Sequence, residues 1–282
     1  MIVSFWGTRS GLPLASKQPR YYGGNTSCVS IHPNKGDVLV IDCGTGASAL
    51  GRQLSSGANH HLNVLFSSIG WDRAQGVPFF GPVYMRDFAL DFYALQVPDF
   101  DLSELLRLQM RYDFFPVAFG DLDSLKTIHD LGPHLAPNPG PKLEGYPEGL
   151  DLRVMSLHHE WPLCAFRLRL EDKVLVHAVH VDWCTGTPSP RQLAEFCGDI
   201  DFLITNMPVT RKLVPDYGAG LQNFLELHRL VNIKQTVLTD FNPLLSDTQI
   251  SGFANRISPK IYRRTPGSFT LNVARQDLRL PL

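Results

Sequence analysis

Phe5-Trp6-Gly7-Thr8-Arg9-Ser10-Gly11, Tyr22-Gly23-Gly24-Asn25-Thr26-Ser27-Cys28 and Ile41-Asp42-Cys43-Gly44-Thr45-Gly46 form three glycine-bearing turns near the start of the chain. Each adjoins a short β-rich run: Ile2 to Phe5, Cys28 to His32, or Val38 to Ile41. Asp42, followed by glycines, suits a strand end that turns sharply into the next helix, read over Thr45 to Leu54. Gly23-Gly24-Asn25 permits backbone conformations closed to bulkier residues. Two readings of these loops stay open. Either they only shape turns, or Arg9, Asn25 and Thr26 touch a ligand directly.

Working outward, further strands are predicted over Asn63 to Ser67, Leu152 to Leu157, Leu163 to Leu170, Lys173 to Ala178, Phe202 to Thr205 and Thr236 to Thr239. Helices are predicted over Ser189 to Cys197, with Pro190 in its first turn, and over Asn223 to Val231. Strands that come in groups and then alternate with helices predict an α/β protein with a mixed sheet covered by helices. No repeat, low-complexity tract or linker divides the chain, so one domain over residues 1–282 is expected. The stretch from Pro82 to Pro147 is rich in Pro, Asp and aromatics, with one helix around Ser103 to Met110. It is expected to be an elaboration over one edge or mouth. The aromatics from Phe79 to Phe119 fit an interface or lid, or simply the packing of that elaboration.

Composition narrows the function classes. The 282 residues are 44% hydrophobic and 19% charged, enough apolar material for a sizeable core. A formal net charge of -1 gives no sign of a nucleic-acid or acidic-membrane partner. Cys28, Cys43, Cys164, Cys184 and Cys197 are odd in number and include no C-x-x-C pair, so neither a disulfide framework nor a zinc knuckle is expected. The N-terminus does not read as a signal peptide, and no apolar run reaches membrane-spanning length. A cytoplasmic protein is expected.

The three opening motifs, in this order, resemble the metallo-β-lactamase superfamily, in particular its phosphodiesterase-like branch. The likeness continues through Gln75-Gly76-Val77-Pro78-Phe79-Phe80, Gln109-Met110, Phe115-Pro116-Val117 and Asp201-Phe202-Leu203-Ile204, over roughly residues 1 to 250. The resemblance implies a four-layered αββα sandwich. It also implies a dinuclear site in which His and Asp side chains hold two divalent metals and a bridging hydroxide attacks the substrate.

The residues that should hold those metals are mostly replaced. The family's S-H-x-H-x-D-H segment aligns with Ser67-Ser68-Ile69-Gly70-Trp71-Asp72-Arg73, anchored by Trp71 and Gln75-Gly76. Ser68 and Gly70 stand where two histidines belong and Arg73 where a third does; Asp72 alone matches. The resemblance further places His159 on a ligand position, His180 on the bridging aspartate and Asp240 on the last histidine. A guanidinium carries a fixed positive charge and cannot coordinate a cation. Arg73 is therefore expected to replace the metal's charge by pairing with Asp72 or Asp240, provided that it points inward.

Three functions follow. The first is a catalytically inactive binding or regulatory module without cofactor. By fold-level analogy its ligand is a nucleotide or other small phosphate-bearing molecule, held by Gly-rich turns with Arg9 or Arg73. The second is a metal-dependent, phosphodiesterase-like hydrolase with one zinc, manganese or iron ion on Asp72, His159, His180 and Asp240. The third is a structural subunit in a homodimer or with a protein partner. His60 and His61 are expected in an exposed loop, the direction of His177 is open, and Cys184 is expected to be a buried structural thiol.

Overall fold

Apolar side chains alternate across the central strands, so that each of the two sheets buries both faces. The computed structural model describes residues 1–15, 21–33, 38–57, 60–96, 101–132, 138–139, 143, 150–158, 161–208, 218–263 and 269–282. In chain order the elements are β1 (Ile2–Gly7), β2 (Cys28–His32), β3 (Leu39–Ile41), α1 (Ala47–Leu54), β4 (His61–Phe66), α2 (Trp71–Ala74), β5 (Ala89–Ala94), α3 (Leu102–Gln109), β6 (Leu125–Asp130) and β7 (Asn138–Pro139). They continue with β8 (Leu150–Ser156), β9 (Cys164–Leu170), β10 (Lys173–Ala178), α4 (Pro190–Cys197), β11 (Ile200–Asn206), α5 (Gly218–Leu230), β12 (Ile233–Thr239), α6 (Asp247–Tyr262), β13 (Thr270–Val273) and β14 (Leu278–Pro281).

Among the described residues the strands form two seven-stranded sheets, ordered β14-β1-β2-β3-β4-β5-β6 and β13-β12-β11-β10-β9-β8-β7. In the first, β14 to β3 pair antiparallel and β3 to β6 parallel. In the second, β13 to β10 pair parallel and β10 to β7 antiparallel. Ile41 and Leu65 of one sheet meet Phe166, Leu175, Phe202 and Ile204 of the other in the central core. On the outer face of the first sheet, Val40, Val64 and Phe66 pack with Leu50 of α1 and Leu106 of α3. On the outer face of the second, Val176, Leu203 and Leu238 pack with Leu193, Phe224 and Ile257 of α4, α5 and α6. The layers run α, β, β, α, the sandwich that the resemblance implies.

Two expectations change. The Pro82–Pro147 stretch is not only a cover: it supplies β5, β6 and α3 to the first sheet and its outer layer. Among the described aromatics from Phe79 to Phe119, Phe80, Phe88, Phe92, Tyr93 and Phe119 are buried, Tyr84 and Phe115 are partly buried against the core, and Phe79, Tyr112 and Phe114 are exposed. His61 does not lie in a loop. It opens β4, and its Nε2 is 2.6 Å from Asp91 on β5. Gly44 shows why the opening turns need glycine. A Cβ there would stand 2.4 Å from Thr26 Oγ1 and 2.6 Å from the Asp72 carbonyl oxygen, inside contact distance.

Candidate functional site

The parallel strands of both sheets bring polar residues to one place at their carboxyl ends, where open α/β folds build their sites. Asp42 follows β3, Ser67 and Ser68 follow β4, His180 follows β10 and Asp240 follows β12. Gly70 starts the single turn of α2, which carries Asp72 and Arg73. Asp42 and Asp240 both have left-handed backbone, with φ of 61° and 57°. A short polar side chain tolerates that region best, and such conformations cluster at functional sites.

Arg73 points inward and is 1% exposed. Its Nη2 donates to Asp240 Oδ1 at 2.6 Å. Its Nη1 lies 3.5 Å from Asp42 Oδ2 and its Nε 3.5 Å from Asp72 Oδ2. One short charge-assisted hydrogen bond thus fixes the guanidinium, and two looser ion contacts surround it. Asp42 is fully buried and well supplied with donors. The Ser67 N–H and hydroxyl each reach Oδ1 at 2.8 Å, and the Ser27 hydroxyl reaches Oδ2 at 2.9 Å. Ser67 Oγ is also 3.0 Å from His180 Nε2. Asp72 Oδ2 accepts from the Gly11 N–H at 2.8 Å.

Burial pushes the Asp240 carboxyl up to about 6, because desolvation outweighs the attraction of Arg73 and neighbouring Asp72 and Asp42 add repulsion. Burial also raises Asp42, against the opposing pull of Arg73 and the Ser67 and Ser27 hydrogen bonds. Burial works against the charge of Arg73, but the three carboxylates outweigh it and keep the guanidinium protonated. His177 on β10 lies inside the sandwich, stacked on Phe166 at 6.5 Å. Burial and the charge of Arg73 push it down to about 3, and neither ring nitrogen has a hydrogen-bond partner among the described residues.

The donor set decides whether a divalent ion fits. A guanidinium fills the space between Asp42, Asp72 and Asp240, Ser68 and Gly70 bring no nitrogen ligand, and His180 is bonded to Ser67. Among the described residues no three His, Cys, Asp or Glu side chains are grouped to hold a metal. With Arg73 in place these residues do not fit one. His159 lies outside the described residues.

Arg9, Asn25 and Thr26 hold loops together. The Arg9 side chain is buried, donating to the Gly23 and Leu245 carbonyls at 2.9 and 3.0 Å and pairing with Asp247 at 3.3 Å. Thr26 is wholly buried, and its hydroxyl accepts from the Thr45 N–H at 2.9 Å and from Gln75 Nε2 at 3.2 Å. The half-buried Asn25 accepts from the Thr45 hydroxyl at 3.2 Å. Arg9 and Thr26 are thus wholly buried and tie the loops together. Ser68 is nearly buried and accepts from the Gly70 N–H at 2.9 Å. Cys184 is half-buried rather than buried; the other four thiols, Cys28, Cys43, Cys164 and Cys197, are buried and free.

The two sheets, their strand order and a charged cluster at the carboxyl ends define a chain with the metallo-β-lactamase fold. Solved structures carry this assignment. Human tRNase Z, short form, matches with a TM-score of 0.62 at 16% identity, over 100% of this chain and 99% of that one. A diphosphatase of the PhnP family matches at 0.61 and 13%, over 100% and 97%. The metallo-β-lactamase fold protein YhfI from Bacillus subtilis matches at 0.60 and 14%, over 99% of each chain. Identity this low speaks for the fold alone. No protein-family model and no curated protein matches the sequence.

Proposed function

We propose that this chain is a non-hydrolytic member of its fold that works as a binding or regulatory module. The observation that supports the reading is Arg73, a buried cation 2.6 Å from Asp240 and 3.5 Å from Asp42 and Asp72, in the cleft where relatives would need a metal. Without a metal, water keeps a pKa of about 15.7 and is a poor nucleophile at neutral pH. A cytoplasmic location is part of the proposal. The free thiols of Cys28, Cys43, Cys164 and Cys197 suit a reducing compartment, and no helix among the described residues is long and apolar enough to cross a membrane.

The charge of the cleft argues about the ligand. Arg9 and Arg73 are each engaged by carboxylates, and the Gly11 N–H by Asp72. One guanidinium stands against three carboxylates, which favours a neutral or cationic ligand over the phosphate that the resemblance implies. Trp71, 55% exposed beside Asp72, offers such a ligand an aromatic face.

The second reading, a metal-dependent hydrolase, is favoured by neighbours described as a tRNase and a diphosphatase. Turnover separates the two. Wild-type protein is expected to show none above background on a chromogenic phosphodiester or a lactam, with or without added manganese or zinc. Metal-dependent turnover that Asp240→Ala abolishes would establish the hydrolase.

A further inference from the structure

We infer that the outer face of β8 and β9 is a docking site for a phosphorylated side chain of a partner protein, held by Arg153, Arg167 and Arg169. The site lies outside the Arg73 cleft, and it stands or falls independently of how that cleft is read.

Strand alternation puts the three arginines on one face. Leu152 and Val154 of β8 and Phe166 and Leu168 of β9 point into the core between the sheets. Their alternate neighbours Asp151, Arg153, Arg167 and Arg169 therefore point outward. The register sets Arg153 opposite Arg167 and Asp151 opposite Arg169. Three guanidinium groups and one carboxylate thus share a single patch.

That arrangement is electrostatically strained. Like charges directly opposite on a sheet are destabilising, and Arg153 and Arg167 are such a pair. Asp151 offsets only part of the repulsion. Its Oδ2 lies 3.4 Å from Arg153 Nε and 3.9 Å from Arg167 Nη1. Arg169 is exposed, and no ion pair holds it among the described residues. Burial and then the charge of Arg153 push Arg167 down from the ordinary guanidinium range; Asp151 opposes this and Arg169 adds to it. A surplus of positive charge stands here on a chain whose formal net charge is -1. One of the three groups is already fixed. The Arg167 side chain is 13% exposed, and its Nε donates to the Cys197 carbonyl at the end of α4 at 2.9 Å.

The chemistry of the patch names the partner. A phosphorylated serine or threonine carries about -1.5 to -2 charges at neutral pH and three strong acceptor oxygens. Guanidinium forks match those oxygens, and arginine clusters are a recurring way of recognising them. Arg153 and Arg169 are exposed, so a lone phosphate ion would meet little more than screened surface charge. A phosphorylated segment brings further chain against the same face. Phe166, the one aromatic residue of the two strands, faces the core, so the patch offers no ring on which a nucleic-acid base could stack.

The test titrates the wild-type protein with a glycine-flanked phosphoserine peptide, its unphosphorylated twin, inorganic phosphate and polyuridylate, following the arginine Nε–H signals by NMR. The phosphopeptide is expected to shift the Arg153 and Arg169 signals, saturating with a Kd on the order of 1 mM at low salt, and the twin to shift neither. Arg153→Gln with Arg169→Gln should weaken that binding at least about tenfold. Asp151→Asn, which removes the competing carboxylate, should strengthen it severalfold; this second variant carries the test if the double variant does not fold. No difference between the phosphopeptide and its twin, or binding that neither substitution changes, would overturn the site. Inorganic phosphate binding as tightly as the phosphopeptide would overturn the protein partner, and tighter binding of polyuridylate would replace it with a nucleic acid. None of these outcomes touches the metal content or turnover of the cleft, which test the non-hydrolytic reading separately.

Discussion

Arg73→Ala is expected to cost about 3–5 kcal/mol of folding stability at neutral pH, the usual penalty for removing one partner from a buried ion pair. An exposed pair would cost well under about 1 kcal/mol, and Arg73 at 1% exposure is not one. The loss has a pH signature. Without the guanidinium the folded-state pKa of Asp240, already about 6, and that of Asp42, already raised, go higher. An acid whose folded pKa lies above its unfolded value holds a proton in the folded state that the unfolded chain has released. The variant should therefore be least impaired near pH 5 and most impaired near pH 8. A double-mutant cycle with Asp240→Ala should show a coupling of about 1–3 kcal/mol, because the second change removes the charge that the first left unpaired. Denaturant unfolding of the four proteins at two pH values measures both. Strictly additive losses would mean that the 2.6 Å contact contributes nothing.

Acid should unfold the wild type through two imidazoles far more readily than through its surface carboxylates. Burial first, and then the Arg73 charge, pushes His177 from the ordinary 6.5 down to about 3. Burial pushes His228, bonded to the Phe224 carbonyl and Thr236, down to about 4. As pH falls below 6.5 the unfolded chain binds protons at both positions that the folded chain refuses, so stability falls. Asp240 acts in the opposite direction. Raised from 3.8 to about 6, it takes up its proton first in the folded state and adds stability as pH falls between those values. Asp42, likewise raised by burial, adds to that opposition, so the fall in stability between pH 7 and pH 4 is what the two imidazoles cost less what the two carboxylates return. His177→Leu should flatten that slope. It should also be neutral or stabilising at pH 7, since it removes a buried polar ring without partners. An unchanged slope in His177→Leu would show that the imidazole protonates freely in the folded protein.

What could be read from the sequence divides along physical lines. The opening strands and turns were legible because each strand is short, apolar and closed by glycine, and the turns need glycine for close approach, as at Gly44. β5, Ala-Leu-Asp-Phe-Tyr-Ala, was not. A parallel strand buried on both faces shows no alternation, and its neighbours are rich in Pro and Asp. α6 was hidden by Gly252 and Pro259, although Ile250, Phe253, Ile257 and Ile261 keep helical spacing and Ser246 and Gln249 form a capping box. β14 closes the first sheet against β1 from the far end of the chain, a pairing that no local signal reports.

The candidate site divides in the same way. Asp72, Arg73 and Asp240 were legible through the resemblance, but the inward direction of Arg73 was not. Asp42 reads in the sequence as a turn-former and Ser67 as the end of a strand, and their place in the ion cluster follows only from the convergence of β3 and β4 with β10 and β12. His177 was within reach of sequence reasoning. It shares its strand face with Leu175, two residues away, and that face lines the space between the sheets.

If the proposal holds, Arg73 supplies a fixed side-chain cation at the place where the resemblance implies a metal. The metal content of the wild-type protein, purified without chelator and without added metal, tests it most directly. Zinc, manganese and iron together are expected well below one equivalent, less than about 0.1 per chain. About one or more ions per chain, lost on Asp72→Ala, would contradict the account and make the cleft a metal centre.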